Sequence, residues 1–217
     1  MASRLFPQFD AQRIVDFVHG KLRRAIVRHE LEPGFHLSVP ALAAQFGVSR
    51  SPVREAVQRL VLEGLAVEQP RKGVYVTRYE ITELLPLYQV RKVLEGLAAG
   101  LAARHMTPHH ISRIKKILEA DRRAIEKDDI EGHIDSDIAF HLALMDCAGN
   151  PVLSENLRKI YDRIRAAMTA RVVPTGPQRA YEDHCHIFEI AQLGDSDGAE
   201  AAAREHVQRV LGSLKEQ

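Results

Sequence analysis

A carboxylate and an imidazole stand four residues apart at Asp137 and His141, and two further histidines, His184 and His206, lie nearer the end of the chain. Residues four apart share one face of a helix, so Asp137 and His141 can present an oxygen and a nitrogen to one point. His184 and His206 each precede apolar residues at inward-facing helical spacing. Three imidazoles and one carboxylate suit a divalent Zn, Ni, Mn or Fe ion with open coordination positions. The spacing alone also fits an exposed carboxylate beside a histidine at the edge of the core.

Two other histidines, His186 and His133, are not expected to belong to this metal site. His186 lies two residues from His184, about 200° around a helix, so both cannot face one site. His133 shows no grouping with other ligand-type residues in the sequence. The predicted metal site therefore contains three histidines and Asp137.

A second set of candidate residues is cationic and lies in the N-terminal part. Arg50 and Arg54 stand four apart on one predicted helix face, next to Ser49 and Ser51. Guanidinium groups at the start of a recognition helix can donate bidentate hydrogen bonds to guanine, while hydroxyl and amide groups bind phosphates. The alternative is that both arginines are ordinary solvated charges of a helical bundle.

Three predicted helices in this part of the sequence position the two arginines. Apolar residues recur four apart from Gln12 to His29, and Ser38 offers a side-chain cap for a short second helix that ends at Gly47. A third helix, capped by Ser49 or Ser51, carries both arginines. Two short helices joined by a glycine turn are typical of a helix-turn-helix.

Two strand-like runs follow the third helix. Residues 65–68 and 74–77 flank a turn whose tip carries Arg71 and Lys72, where positive charge can meet phosphate. A helix-turn-helix with such a hairpin is a winged helix-turn-helix, which we place at residues 1–78.

The rest of the chain, residues 79–217, shows only helical periodicity. Six apolar patterns run from Leu84 to Ala103, Ile111 to Ile125, Ile134 to Cys147, Val152 to Ala170, Tyr181 to Leu193 and Asp197 to Leu214, with a short extra turn at Ile81–Leu85. A bundle of this size can build a site between facing helices. We therefore predict a mainly α protein, with an N-terminal winged helix-turn-helix and a C-terminal all-α bundle that binds an effector and dimerises.

Composition and charge exclude several classes of protein. A hydrophobic content of 45% excludes a largely disordered chain, and two cysteines cannot build a disulfide framework. No apolar run reaches membrane-spanning length and no signal-peptide pattern opens the sequence, so we expect a cytoplasmic protein. Residues 1–78 contain 12 Lys or Arg against 7 Asp or Glu, whereas the remainder contains 18 against 22. This asymmetry predicts a polyanionic partner for the first part only.

The motifs of both parts resemble one known family. The segment VSRSPVREA at residues 48–56, with Glu63-Gly64-Leu65 and the run GVYV at 73–76, is similar to the GntR family of bacterial transcription regulators over residues 11–78. Ser51 stands where that family usually has threonine and Val57 where it usually has leucine, and both keep the chemical character of the position.

The C-terminal part resembles the FadR-type ligand domain, abbreviated FCD, over about residues 80–215. The motifs that carry this resemblance are Arg91-x-x-Leu94-Glu95, Asp137-x-x-Phe140-His141, Gly149-Asn150-Pro151, Glu182-Asp183-His184, and Gly194-Asp195 followed by His206. In metal-binding FCD domains an Asp and three His occupy the positions of Asp137, His141, His184 and His206. The resemblance therefore implies the same four metal ligands as the residue pattern.

The resemblance also implies roles for other residues. In the DNA-binding domain, the positions of Arg50, Ser51, Arg54 and Gly73 contact DNA, and we expect Arg71 and Lys72 to contact phosphates. Arg91 falls where FCD domains often have an arginine, so we expect it to bind the carboxylate of an effector. The alternative for Arg91 is a structural ion pair with Glu95, four residues later.

These expectations combine into one function. We predict a transcription regulator that binds a near-palindromic double-stranded operator as a homodimer, because one recognition helix reads only a few base pairs. A small organic acid bound beside the metal is expected to control operator affinity.

Two alternatives differ in class from this prediction. In one, the metal activates water and the bundle is a hydrolase, although the sequence has no HExxH helix. In the other, the chain is an effector-independent DNA-binding protein, the C-terminal part only dimerises, and the four ligand-type residues are accidental. Bound metal and ligand-dependent operator affinity would speak against the second alternative.

Overall fold

The computed structural model describes residues 11–167 and 176–215. These described residues form nine helices and one two-stranded sheet, which confirms a mainly α protein with an N-terminal winged helix-turn-helix and a C-terminal helical bundle. The chain divides into two compact units, of which the first ends at Arg78 and also includes Arg165–Ala167, and the second begins at Tyr79. None of the described helices combines the length and the apolar character needed to span a bilayer.

The first unit contains three helices and a hairpin. They are α1 (Ala11–Val27), α2 (Val39–Phe46), α3 (Arg50–Leu62), β1 (Ala66–Gln69) and β2 (Gly73–Val76). The strands pair antiparallel, with Ala66 opposite Val76 and Gln69 opposite Gly73. The predicted apolar stripe of α1 is buried at Val18, Leu22 and Ile26. α1 packs against α3. The buried face of α3 holds that helix in place.

The turn between α2 and α3 depends on a glycine. Gly47 has φ of 66°, a left-handed conformation that is unfavourable for residues with a Cβ atom. It occupies the C-cap position of α2, where glycine is preferred. Ser38 and Ser49 occupy the N-cap positions of α2 and α3, but neither side chain makes a capping hydrogen bond. The predicted side-chain caps are therefore wrong. Pro40 and Pro52 contribute to the difference, because each removes one of the two backbone N–H groups that such a cap could use.

The second unit contains six helices in its described part. They are α4 (Ile81–His105), α5 (Pro108–Glu126), α6 (Ile130–Cys147), α7 (Pro151–Ala167), α8 (Pro177–Gln192) and α9 (Ser196–Lys215). The extra turn predicted at Ile81–Leu85 is the first turn of α4, which continues through Pro86. The predicted end of α7, at Ala170, lies outside the described residues.

Small residues allow α4 and α9 to pack closely. The buried alanines that these two helices contribute to one core cluster are Ala99, Ala102, Ala103, Ala199, Ala202 and Ala203. Larger apolar side chains such as Phe140, Ile114 and Ile187 fill the space toward α5, α6 and α8. The core of this unit also contains every polar or charged residue that is buried in the described part of the chain. These residues are Arg91, Glu95, Asp121, His133, His141, Asp183, His184 and His206.

Candidate functional site

The residues predicted to contact DNA all lie on the surface of the first unit. The exposed set is Ser49, Arg50, Ser51, Arg54, Arg71, Lys72 and Gly73. Arg50 is the first residue of α3 and Arg54 follows one turn later. Val53 and Leu60 on the opposite face of α3 are fully buried. The helix is thus fixed through its apolar face while both guanidinium groups remain available to an outside partner.

The tip of the hairpin contains two residues with a left-handed backbone conformation. Arg71 has φ of 64° and Gly73 has φ of 108°, both in the left-handed region. The Tyr75 hydroxyl donates to the Lys72 carbonyl at 3.1 Å. The His36 ring stacks on Tyr75 with centroids 4.8 Å apart, and its Nε2 would lie 2.7 Å from a Cβ at position 73. Both the backbone conformation and the close imidazole therefore favour glycine there.

Three of the four predicted metal ligands meet in the bundle core. His141 on α6, His184 on α8 and His206 on α9 each offer a nitrogen, and these atoms lie within 4.8 Å of one another. All three side chains are buried. Asp137 lies at the edge of this histidine cluster, with its Oδ1 3.4 Å from His184 Nε2 and its side chain 26% exposed.

The cluster has the chemistry of a metal ligand set. Both ring nitrogens of His184 and Nε2 of His206 are buried without a hydrogen-bond partner. An unpartnered buried polar atom is costly, and such atoms on two neighbouring histidines can be satisfied by a ligand that accepts lone pairs. A divalent metal is such a ligand, and imidazole suits Zn, Ni and Fe. The residues present therefore fit the predicted ion.

Burial keeps two histidines of the cluster, His184 and His206, neutral. Burial lowers the pKa of His184 well below its ordinary value, and the neighbouring His141 and His206 lower it further. Burial also lowers the pKa of His206, against the hydrogen bond to Asp183, which raises it. A neutral imidazole is the form that binds a metal. The fold thus holds these two side chains in the ligand-competent protonation state.

Arg91 lies directly beside the histidine cluster. Its Nη2 is 3.2 Å from His141 Nε2 and donates to the Tyr161 hydroxyl at 3.2 Å. Its Nε donates to Glu95 Oε1, so the predicted ion pair between Arg91 and Glu95 is present. The Tyr161 hydroxyl also donates to Glu95. The predicted effector-binding arginine and the predicted structural ion pair are therefore parts of one buried network.

The charges of this network stabilise each other. Burial alone would raise the pKa of Glu95, but Arg91 and His141 outweigh it and hold that pKa well below its usual range. Burial alone would lower the pKa of Arg91, but Glu95 and two tyrosines raise it well above its ordinary value. Both groups are consequently charged at neutral pH although they are almost completely buried.

Sequence reasoning missed two further buried carboxylates. Asp183 accepts a hydrogen bond from His206 Nδ1 at 3.2 Å and from Arg209 Nε at 2.9 Å. Asp121 on α5 lies 2.7 Å from His133 Nδ1 on α6, so His133 does have an acidic partner. Each of these contacts joins two helices, and no spacing within one helix indicates it.

Comparisons with known proteins agree with this architecture. The family model described as "Bacterial regulatory proteins, gntR family" matches residues 14–76, and the model of the FCD domain matches residues 86–209. The chain is 31% identical to the HTH-type transcriptional repressor RspR of Escherichia coli K12 over 198 residues, which cover 90% of this chain and 86% of RspR. It is 34% identical to the HTH-type transcriptional regulator LutR of Bacillus subtilis 168, covering 83% of this chain and 92% of LutR.

The fold is also similar to that of a solved structure. E. coli McbR/YncC matches with a TM-score of 0.77 and 25% identity, over 94% of this chain and 98% of that one. The similarity therefore extends across both units rather than the DNA-binding motif alone.

Proposed function

The chain belongs to the GntR family of bacterial regulatory proteins and contains an FCD domain, and from this premise we propose that a small organic acid bound beside a divalent metal controls its operator affinity. Membership makes the chain a DNA-binding transcription regulator rather than an enzyme. The observation that carries the proposal is the buried histidine cluster with Arg91 at its side.

For operator recognition we assign base contacts to Arg50 and Arg54. Their guanidinium groups are exposed at the start of α3, the end of a recognition helix that enters the major groove. Ser49 and Ser51 stand beside them and can donate to phosphates. Footprinting on random-sequence DNA should therefore reveal a preferred, near-palindromic sequence, and uniform protection would contradict this assignment.

The hairpin supplies the remaining DNA contacts in this proposal. Arg71 and Lys72 carry exposed charge at its tip, and Gly73 lets the backbone approach closely. Such contacts position the protein on DNA without reading its sequence. They contribute through counterion release, which makes binding dependent on salt.

A homodimer is supported by an exposed apolar stripe on α4. Val90, Val93 and Leu97 are spaced three and four residues apart and are 51%, 47% and 39% exposed. Exposed apolar side chains that share one helix face are typical of a surface covered in an assembly. Sedimentation should show a dimer for the wild type and a monomer for Val93→Glu. A monomeric wild type would overturn the dimer proposal.

The metal would be held by Asp137, His141, His184 and His206. When bound, such an ion supplies a Lewis-acidic centre with open positions for oxygen ligands. Metal analysis of purified protein should find one divalent ion per chain. His206→Ala should lose it, whereas His186→Ala, which changes an exposed histidine, should keep it. Equal metal content in the wild type and His206→Ala would contradict the assignment.

A carboxylate effector is supported by the charge of the site. The neutral imidazoles of His184 and His206 and a permanently charged guanidinium lie close together there, and Glu95 is the only described carboxylate with a hydrogen bond to Arg91. An acid that binds this site can therefore compete with Glu95 for Arg91 or share its remaining donors. This arrangement favours an anion over a neutral or cationic ligand.

Calorimetry with small carboxylates, chosen by a thermal-shift screen, tests the effector site. Arg91→Ala should abolish or strongly weaken binding. Lys92→Ala removes the same charge from the next residue, which bonds to Gln208 instead, and should bind as the wild type does. Unchanged affinity in Arg91→Ala would remove this arginine from the site.

Control of DNA binding then follows from linkage. An effector shifts operator affinity only if it binds two conformations unequally, so operator DNA must change effector affinity by the same factor. Measuring both couplings on one sample tests this. If ligand and metal leave operator affinity unchanged, the effector-independent alternative is correct.

A further inference from the structure

We propose that Asp183 is a positioning residue that fixes the tautomer and orientation of the His206 imidazole, so that Nε2 faces the other two histidines. The inference rests on the proposed metal site. It explains how one ligand of that site, His206, has the required tautomer and orientation before any ion binds. Asp183 itself need not touch the metal in this role.

The contact between Asp183 and His206 decides which nitrogen carries the proton. A carboxylate accepts hydrogen bonds and, when ionised, cannot donate them, so His206 Nδ1, at 3.2 Å from Asp183 Oδ2, must hold the hydrogen. Nε2 of a neutral ring is then left with a lone pair. That atom is buried and has no hydrogen-bond partner, and the centroid of its ring lies 4.9 Å from that of His184 and 5.4 Å from that of His141.

Asp183 is itself restrained by cations. Arg209 Nε donates to Oδ2 at 2.9 Å, and Arg209 Nη2 lies 2.8 Å from Oδ1, so one guanidinium contacts both carboxylate oxygens. Arg179 Nε lies 3.5 Å from Oδ1 as well. Because Asp183 is on α8 and both His206 and Arg209 are on α9, the arrangement also fixes the two helices relative to each other. The carboxylate therefore cannot rotate without breaking several contacts.

The other two histidines show what this arrangement adds. His141 Nδ1 lies 3.2 Å from Glu95 Oε2, so a second carboxylate is placed on the Nδ1 side of a second ring. His184 has no hydrogen bond at either nitrogen, and its ring is instead stacked on Phe140 with centroids 4.4 Å apart. His206 is thus oriented by a hydrogen bond to a carboxylate, whereas His184 is oriented by ring packing, with Asp137 Oδ1 3.4 Å from its Nε2 but not hydrogen-bonded to it.

Loss of the carboxylate should weaken metal binding without removing a ligand. In Asp183→Asn, the amide can present either oxygen or NH₂ to the ring, so the preference for one tautomer disappears. Loss of such an outer carboxylate typically weakens metal affinity by about 10–100-fold. Glu182→Gln is a matched control, since it removes the same charge from the adjacent, exposed residue of α8.

The first measurement uses metal-free wild-type protein. Nitrogen-15 spectra of labelled histidine distinguish protonated from unprotonated ring nitrogens, and loss of one signal set in His206→Gln assigns His206. We expect a protonated Nδ1 and an unprotonated Nε2. A protonated Nε2 would overturn the proposal whether or not the protein binds metal.

The second measurement is Zn²⁺ affinity by competition with a chelator. We expect Asp183→Asn to bind Zn²⁺ about 10–100-fold more weakly than the wild type, with mixed tautomers at His206, and Glu182→Gln to match the wild type within twofold. Wild-type affinity in a folded Asp183→Asn would overturn the proposal. If that variant does not fold, the tautomer measured in the wild type decides. A wild type that binds no Zn²⁺ contradicts the metal site, while the tautomer still tests the role of Asp183.

Discussion

The two units place their candidate binding residues in opposite environments. Every predicted DNA contact in the first unit is exposed, and no polar or charged residue among the described part of that unit is buried. In the second unit, three predicted metal ligands and the predicted effector arginine are all buried, together with four further polar residues. One unit presents charge to an outside partner, whereas the other encloses charge within its own core.

The difference determines what a substitution can affect. An exposed guanidinium is solvated before DNA binds, so its removal changes binding and leaves the fold almost unchanged. A buried charge depends on its partners in the protein, and removing one partner leaves the other unpaired in a poorly solvating environment. Binding and stability should therefore be separable in the first unit and coupled in the second.

The largest effect is expected from Glu95→Ala. This change leaves Arg91 buried without its carboxylate, and breaking a buried ion pair typically costs about 3–5 kcal/mol. Urea unfolding monitored by circular dichroism measures the change in the free energy of unfolding. Glu200→Ala is the control, because it breaks an ion pair of the same four-residue spacing, with Arg204, at partly exposed positions. A similar cost for both variants would contradict the contrast between environments.

Replacing both members of the pair separates the buried charge from the packing. Arg91→Met combined with Glu95→Leu leaves no unpaired charge, and apolar replacement of a buried pair is often neutral or stabilising. The double variant should therefore be more stable than Glu95→Ala. Equal destabilisation would show that Glu95 matters through its packing rather than its charge.

The next largest effect is expected from His184→Leu, which removes two buried ring nitrogens that have no hydrogen-bond partner. Metal that binds only the folded protein stabilises it by about 4 kcal/mol at a concentration 1,000 times its Kd. His184→Leu should lose this stabilisation, yet it should leave the metal-free protein as stable as the wild type or more so, because leucine buries no unpartnered polar atom. Thermal unfolding with and without Zn²⁺ measures both effects. A strongly destabilised metal-free His184→Leu would mean that the imidazole already has a structural role.

Relationships within one helix could be predicted from the sequence. The pairing of Arg91 with Glu95 and the shared face of Asp137 and His141 both follow from a spacing of four residues. The exposed position of His186 beside buried His184 follows from the same periodicity. Helical periodicity thus specifies which side chains share a face, and this was enough to predict most of the bundle.

Relationships between helices could not be predicted in this way. Asp183 and His206 are 23 residues apart, and Tyr161 is 66 residues from Glu95. Contacts of this kind depend on how helices cross, which no local pattern encodes. The missing cap at Ser38 is a different case, because Pro40 was visible in the sequence and its lack of an N–H would have excluded one capping bond.

A smaller effect, confined to DNA binding, is expected from Arg54→Ala. Loss of a bidentate contact to guanine should weaken operator binding by about 1–3 kcal/mol and relax the preference at one base position. The free energy of unfolding should change by less than about 0.5 kcal/mol, since the residue is exposed. Arg122→Ala, on the exposed surface of α5, should change neither quantity appreciably. If Arg54→Ala lowered the free energy of unfolding substantially, binding and stability would not be separable in the first unit.

The smallest effect is expected from Lys72→Ala at the tip of the hairpin. Lys72 is exposed, and its proposed partner is a phosphate rather than a base. Its loss should weaken binding to all sequences similarly and reduce the slope of log K against log salt by about one unit. Fluorescence anisotropy at several salt concentrations, on operator and scrambled DNA, measures this slope, with Lys116→Ala on α5 as the control. An unchanged slope, or a loss restricted to the operator, would show that Lys72 does not act through phosphate, because a phosphate contact must contribute equally to every sequence.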